Sequence, residues 1–355
     1  MALLSLCAIY AYVRGCSLHL YLLGALLFLM RIDGLLLLGL LAIAMGVEQK
    51  RVPWAHLAVA AAVAAPWLLF ATIYFGSPIP VSFLAKVTVY GRGLTLRPVN
   101  LEAFRVQFVS GWMQRALTIL FLAGSIVVVR SKRCLAPALL WLLIYYAVML
   151  TSHVPAFPWY FLPPWPMFLG VAALGGDGIV RAVVKPDALR KVSAPAGAAA
   201  LALVGAAGLA HVPAVERDIA QTQHVEDSLR IPIGLWLRGH AARQESILLE
   251  PIGYVGYYSH RRILDMIGLV SPEVISCYKS RRPLAAILER FHPDWLCLRP
   301  AEVRVLGKER EPLPGSMYRY VREFHVPGRP PDFLIYHRIR RRAIGIPSRS
   351  GRQAL

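Results

Sequence analysis

A chain of 355 residues that is 57% hydrophobic and only 17% charged, with positive mean hydropathy, excludes a protein that is water-soluble throughout. A soluble fold of that composition would expose large apolar patches. The formal charge of +19 would point to nucleic acid in a soluble protein, but the Lys and Arg residues stand mostly between apolar stretches or in the C-terminal tail, where membrane topology and anionic lipid account for them.

The sequence reads as a polytopic α-helical membrane protein with about eight hydrophobic helices, some short, followed by an α/β domain. The first stretch, Met1 to Val13, lacks a basic n-region and a small-residue cleavage site, and Leu6 departs from a lipoprotein-like site at Cys7. It reads as a retained helix. Further apolar stretches run from Leu18 to Met30, Gly34 to Val47, Trp54 to Phe75, Ala116 to Val129, Leu135 to Leu150, Trp159 to Leu174 and Ala194 to His211.

Several of these fall short of the ~20 residues a perpendicular helix needs to cross the hydrocarbon core. Arg31 and Asp33 separate the second stretch from the third. Two short helices meeting near one membrane surface are expected there, because a single span would bury both charges at a cost of several kcal/mol unless they pair or face a wet cavity. Two roles remain open for the pair. It ends one helix and opens the next, with Asp33 favoured at a helix N-terminus, or Arg31 holds an anionic group, for which a permanently charged, bidentate guanidinium is suited.

From Gly76 to Lys86, the prolines on either side of Ile79 stop the preceding helix and turn the chain along the surface. Lys86 reads first as a snorkelling anchor. The stretch from His153 to Pro166 gathers aromatic residues and prolines at the start of a span. An aromatic belt accounts for Trp159, Tyr160 and Trp165, and rings beside His153 on an outer face would also suit stacking on a sugar.

The placement of Lys and Arg predicts the orientation. Arg14, Lys50, Arg51, Arg130, Lys132, Arg133, Arg181, Lys185, Arg190 and Lys191 fall on one side, which should be cytoplasmic. The Arg31 turn, the loop from Gly76 to Arg115, the segment around His153 and everything after His211 fall on the other. That outer loop is itself basic, with Lys86, Arg92, Arg97, Arg105 and Arg115 against Glu102. It either breaks the rule or serves an anionic ligand.

The organisation expected is a membrane domain over 1–212, an extracytoplasmic α/β domain over 213–338 and a basic disordered tail over 339–355. In the second part, Ala214 to Arg243 is compatible with a helix. Strands are expected at Ser246 to Leu249, Arg262 to Asp265, Trp295 to Leu298, Tyr318 to Phe324 and Phe333 to His337, with a helix at Pro283 to Phe291. Cys277 and Cys297 both lie in this domain. They form either a disulfide, if it faces an oxidising compartment, or two buried thiols. Neither a nucleotide-binding motif nor HExxH or GxSxG occurs, so no support exists for nucleotide, zinc-protease or lipase chemistry. No cofactor and no metal are expected.

Three motifs together, Arg31-Ile32-Asp33-Gly34, Phe75-Gly76-Ser77-Pro78-Ile79-Pro80 running to Lys86, and Pro158-Trp159-Tyr160, resemble bacterial GT-C membrane glycosyltransferases. These use polyprenyl-phosphate sugars and include protein mannosyltransferases and the aminoarabinose transferases of lipid A. Gly253 to Ser259 and Leu264 to Leu269 look like the extracytoplasmic domain that closes many such proteins. The resemblance spans about Leu18 to Arg299.

It implies a polyprenyl-phosphate sugar donor, a cell-envelope acceptor and an active site at the outer face of the bacterial cytoplasmic membrane. Arg31 would stand near the donor phosphate with Lys86 assisting, and His153, Trp159 and Tyr160 would line the substrate. Such enzymes carry their catalytic carboxylate in the first large outer loop, whereas here Asp33 is the first acidic residue and the only catalytic candidate. A chain lacking the N-terminal part of the family, with a separately encoded N-terminal half as a candidate partner, is the expectation. The alternative is a non-enzymatic, membrane-anchored binding domain. A small-solute transporter, hinted at only by the Pro-interrupted segments at Pro78 and Pro163, ranks third.

Overall fold

The computed structural model describes residues 1–91, 97–183, 212–213, 215–307, 317–326, 328 and 330–339. The chain divides into two compact units, Met1–Ala206 and Ala207–Leu355. The apolar stretch from Ala194 to His211 and the basic tail from residue 340 onward lie outside the described residues.

The described part of the first unit is helical: α1 (Ala2–Val13), α2 (Ser17–Met30), α3 (Gly34–Gln49), α4 (Trp54–Phe75), α5 (Val81–Tyr90), α6 (Pro98–Phe108), α7 (Trp112–Ser131), α8 (Ala136–Thr151) and α9 (Trp165–Val183). Among the described residues, four helical stretches are long and apolar enough to cross a membrane: α4, α7, α9, and α8 together with the 3₁₀ turn Arg133–Leu135 that leads into it. The others are shorter. With 14 and 16 residues, α2 and α3 span roughly 21 and 24 Å at 1.5 Å per residue.

Two sequence expectations are revised. The stretch from Gly76 to Arg115, read as a loop, contains α5 and α6. The chain leaves α4 at Gly76, whose φ of +74° is a conformation glycine adopts without strain, and α5 starts directly after Pro80. The helix expected from Trp159 begins only at Trp165; Pro158–Tyr160 forms a separate 3₁₀ turn, since prolines at 163 and 164 deny it the amides a continuous helix would need.

The bundle packs around Trp141, Tyr145, Leu142, Phe168, Leu20, Leu27, Leu37 and Leu41, all buried. The closest approach is between α7 and α9. A Cβ at Gly124 would stand 1.8 Å from the Val171 carbonyl oxygen, and one at Gly175 would stand 1.9 Å from that of Leu120. The two backbones therefore touch, the small-residue packing that suits helices in lipid. At one end, the Tyr12 hydroxyl donates to Glu48 at 2.6 Å, tying the end of α1 to the end of α3. The Arg31 turn, the start of α5 and the segment after α8 meet at the opposite end.

The second unit contains a five-stranded sheet in the order β2-β1-β3-β5-β4. The strands are β1 (Ser246–Leu249), β2 (Arg262–Asp265), β3 (Trp295–Leu298), β4 (Tyr318–Phe324) and β5 (Phe333–Arg338). The pairs β1–β2 and β1–β3 are parallel, while β5 runs antiparallel to both β3 and β4. The three strands β1, β3 and β5 read as unbroken apolar runs because both faces of the sheet are covered. Leu248, Leu296, Leu298, Leu334 and Tyr336 pack on one face with Ile287 and Leu288 of α12 (Pro283–Phe291). Ile247, Leu249, Trp295, Phe333 and Ile335 pack on the other with Ile233 and Leu237 of α10 (Ile231–His240) and Val255 of α11 (Gly253–Ser259). A final helix, α13 (Pro300–Leu306), follows β3.

Cys277 belongs to the first of these cores and Cys297 to the second. Both are buried free thiols, and the disulfide alternative is not realised.

Candidate functional site

The three motifs singled out above converge within the first unit. Their residues line one cavity of about 520 Å³, formed by Arg31 and Asp33 between α2 and α3, Ser82, Phe83 and Lys86 of α5, Val148 and Met149 of α8, and Trp159 and Tyr160 of the 3₁₀ turn. The charged side chains lining it are Arg31, Asp33 and Lys86.

Why each stands there follows from local structure. Arg31 ends α2 in an extended conformation and Asp33 precedes α3, so the turn between two short helices presents both side chains. Gly34 makes that turn possible: a Cβ there would meet the Leu27 carbonyl oxygen at 2.7 Å. Lys86 projects from the second turn of α5, whose start is set by Pro80.

The pairings define what the cavity can do. Arg31 binds Asp33 through two donors, Nε to Oδ1 at 3.0 Å and Nη2 to Oδ2 at 2.9 Å. The Arg31 guanidinium also stands 5.4 Å from the centre of the Tyr160 ring, within cation–π range. Lys86 Nζ donates to the Tyr160 hydroxyl at 2.8 Å. Behind Asp33, the buried Tyr145 hydroxyl stands 3.2 Å from Asp33 Oδ2 and 3.0 Å from the Tyr160 carbonyl oxygen. It has one proton for these two acceptors.

The sequence-derived candidates thus separate. Arg31, Asp33, Lys86, Trp159 and Tyr160 are brought together; His153 is not among the residues lining the cavity. Its carbonyl oxygen accepts a hydrogen bond from Arg97, and its ring approaches Gly91. Glu102, the other outer-side acid, pairs with Arg105 on the exposed face of α6.

Asn100 is a residue that sequence reasoning missed. Fully buried in α6, it donates from Nδ2 to the carbonyl oxygens of Ser152 at 2.7 Å and Met149 at 3.1 Å, and accepts from the Ala156 amide at 2.9 Å through Oδ1. It closes the orphan end of α8 and fixes the chain that leads to Tyr160. No local pattern marks it, because its partners lie about fifty positions further along the chain.

A family profile described as a domain of unknown function, DUF8728, matches residues 217–340, which fall within the second unit. No curated protein matches the chain. No solved structure matches it either.

Proposed function

We propose that the cavity binds the phosphate of a polyprenyl-phosphate sugar, and that the chain is a GT-C-like membrane glycosyltransferase, or the C-terminal portion of one, acting at the outer face of the bacterial cytoplasmic membrane. The observation that supports this reading is the meeting of Arg31, Lys86 and the Tyr160 hydroxyl in one cavity at the end of an apolar bundle.

With two cations and one carboxylate, the lining carries a net charge of +1, the complement of the single negative charge on a sugar phosphodiester. A guanidinium, an ammonium and a phenol supply donors around one oxyanion. Met30, Ile32, Phe83 and Val87 give the same cavity an apolar wall suited to an isoprenoid chain. The cluster of basic residues on the other end of the bundle supports an extracytoplasmic second unit.

Glycosyl transfer also needs a base for the acceptor proton. Among the described residues, Asp33 is the only carboxylate lining the cavity, and both of its oxygens are engaged by Arg31. That arrangement favours a bound charge over a free base. It is the one observation favouring the second reading, a membrane protein that holds the lipid phosphate without transferring sugar.

Native mass spectrometry of the detergent-solubilised chain with polyprenyl phosphate tests the binding. Arg31→Ala should lose the lipid while Trp165→Ala, outside the cavity, retains it. Equal retention by both variants would refute the proposal. Membranes supplied with polyprenyl-phosphate sugars and envelope acceptors then separate the readings. Turnover abolished in Asp33→Asn marks an enzyme, and lipid retention without turnover marks the binding protein.

A further inference from the structure

The bundle cavity carries an anion of its own. Asp33 lies two residues from Arg31, across a turn in which Arg31 is extended and Asp33 already has helical dihedral angles. The carboxylate takes Nε and Nη2 of the guanidinium at 3.0 and 2.9 Å, and the buried Tyr145 hydroxyl stands 3.2 Å from its Oδ2. An ion pair closed over two residues, with a third group against it, holds the negative charge in place. Nη1 of Arg31 makes no hydrogen bond among the described residues, so it remains available to a ligand together with the Lys86–Tyr160 pair.

This fixed charge bears on which phosphate fits. A phosphodiester has a single negative charge, whereas a phosphomonoester carries roughly −1.5 to −2 near pH 7. Arg31 and Lys86 against Asp33 give the lining a net charge of +1, which one negative charge neutralises. The second charge of a monoester finds no further cation among the lining residues and is repelled by the Asp33 carboxylate. The side chains of Arg31 and Asp33 are only 33% and 23% exposed, and in such a setting like charges repel more strongly than in bulk water.

We infer that Asp33 is a specificity-determining residue, which makes the cavity prefer a lipid phosphodiester over the corresponding phosphomonoester. The inference rests on the lipid-phosphate reading of the cavity and holds whether or not the chain transfers sugar. In a glycosyl transfer the bond between the sugar carbon and the phosphate oxygen breaks, and its electron pair stays on the phosphate. The acceptor oxygen bonds that carbon and its proton passes to water. The carrier thus enters as a diester and is left as a monoester with the additional charge that Asp33 opposes, so the same carboxylate that admits the sugar-loaded carrier promotes release of the unloaded one.

The test titrates the full chain in detergent, by native mass spectrometry at pH 7, with polyprenyl phosphate, with its methyl ester and with polyprenol. The methyl ester is a diester without a sugar, so it isolates charge from sugar contacts. The parent should bind the methyl ester about tenfold more tightly than the monoester, and polyprenol least. Asp33→Asn keeps the shape and removes the charge: both phosphates should bind more tightly, the monoester should gain more, and the preference should disappear. Ser82 is exposed and lines the cavity one turn before Lys86 on α5. Ser82→Lys should narrow the preference and Ser82→Glu widen it, which keeps the test open if Asp33→Asn does not fold. Equal binding of the two phosphates by the parent, or an Asp33→Asn variant that loses affinity for both at an unchanged ratio, would overturn the inference and leave the phosphate site standing. Polyprenol bound as tightly as either phosphate would overturn the phosphate reading and this inference with it.

Discussion

Lys86 Nζ donates a 2.8 Å hydrogen bond to the hydroxyl of Tyr160, a residue 74 positions further along the chain. Because the ammonium donates, the phenolic proton is free to turn into the cavity, so the pair offers donors from both groups to one anion. Lys86→Ala should weaken retention of polyprenyl phosphate by roughly tenfold to a hundredfold, the scale of one lost charged hydrogen bond. Tyr160→Phe, which removes only the hydroxyl, should cost less. Lipid titration in native mass spectrometry gives both values, and a Tyr160→Phe loss exceeding that of Lys86→Ala would contradict the order.

Asn100→Leu should destabilise the first unit. The substitution deprives buried carbonyls at 149 and 152 and the amide at 156 of their partner, at about 1–3 kcal/mol for each group left unsatisfied. Thermal unfolding in detergent, followed by tryptophan fluorescence, should show a lower midpoint. A midpoint matching the parent would mean that the segment after α8 is held by something else.

Gly124→Val and Gly175→Val should each separate α7 from α9, since a Cβ at either position meets a backbone carbonyl oxygen below 2 Å. Gly170→Ala is the control, because nothing stands within 4 Å of the added carbon. Overpacking of this kind typically costs 1–3 kcal/mol, more where backbone must shift. The same midpoint for Gly124→Val and Gly170→Ala would disprove the contact.

Acid should loosen the sheet in the second unit. Burial pushes the His337 imidazole below its ordinary value, against the opposing pull of Glu245. For Glu245, burial is outweighed by hydrogen bonds from Trp295 and the Ala242 amide and by the charge of His337, and the carboxyl falls below its usual range. Both groups have folded values below their unfolded ones, so the unfolded chain takes up protons first as pH falls. Their contribution is complete above about pH 6.5 and is lost below it, first through His337 and then, under about pH 4.3, through Glu245. Glu302, held above its usual range by burial, acts with the opposite slope. Hydrogen exchange of β1 and β3 in the full chain, corrected for intrinsic rates, should rise between pH 7 and 5. His337→Gln should flatten that step; an unchanged step would assign it elsewhere.

The orientation predicted from basic residues can be read with one reagent. Lys279 and Cys134 are both exposed, in the second unit and at the basic end of the bundle respectively. In a chain with Cys7 and Cys16 changed to Ala, an impermeant maleimide on intact cells should label Lys279→Cys at once and Cys134 only after lysis. The reverse order would invert the topology.

Much of this was legible in the sequence, for identifiable reasons. The strands at 246–249, 262–265 and 295–298 are short apolar runs bounded by Gly, Pro or charge, and each forms where the pattern places it. The Arg31–Asp33 turn was visible because two charges interrupt an apolar run. Asn100 and the Gly124–Gly175 contact were not visible, since each acts on residues about fifty positions away and neither alters local periodicity. His153 was misplaced for a related reason: proximity to Trp159 along the chain says nothing of where a ring points once the backbone turns at Pro155 and Pro158.

The two cysteines of the second unit sit in cores on opposite faces of one sheet, Cys277 beneath the first layer of helices and Cys297 beneath the second. Burial pushes the Cys297 thiol up, so it stays protonated and unreactive. To join them, a bond would have to pass through the sheet itself. Folding of this unit therefore owes nothing to the redox poise of its surroundings: glutathione-rich and oxidising media should yield the same thiol titre, and these sulfurs carry no record of which side of the membrane the domain occupies.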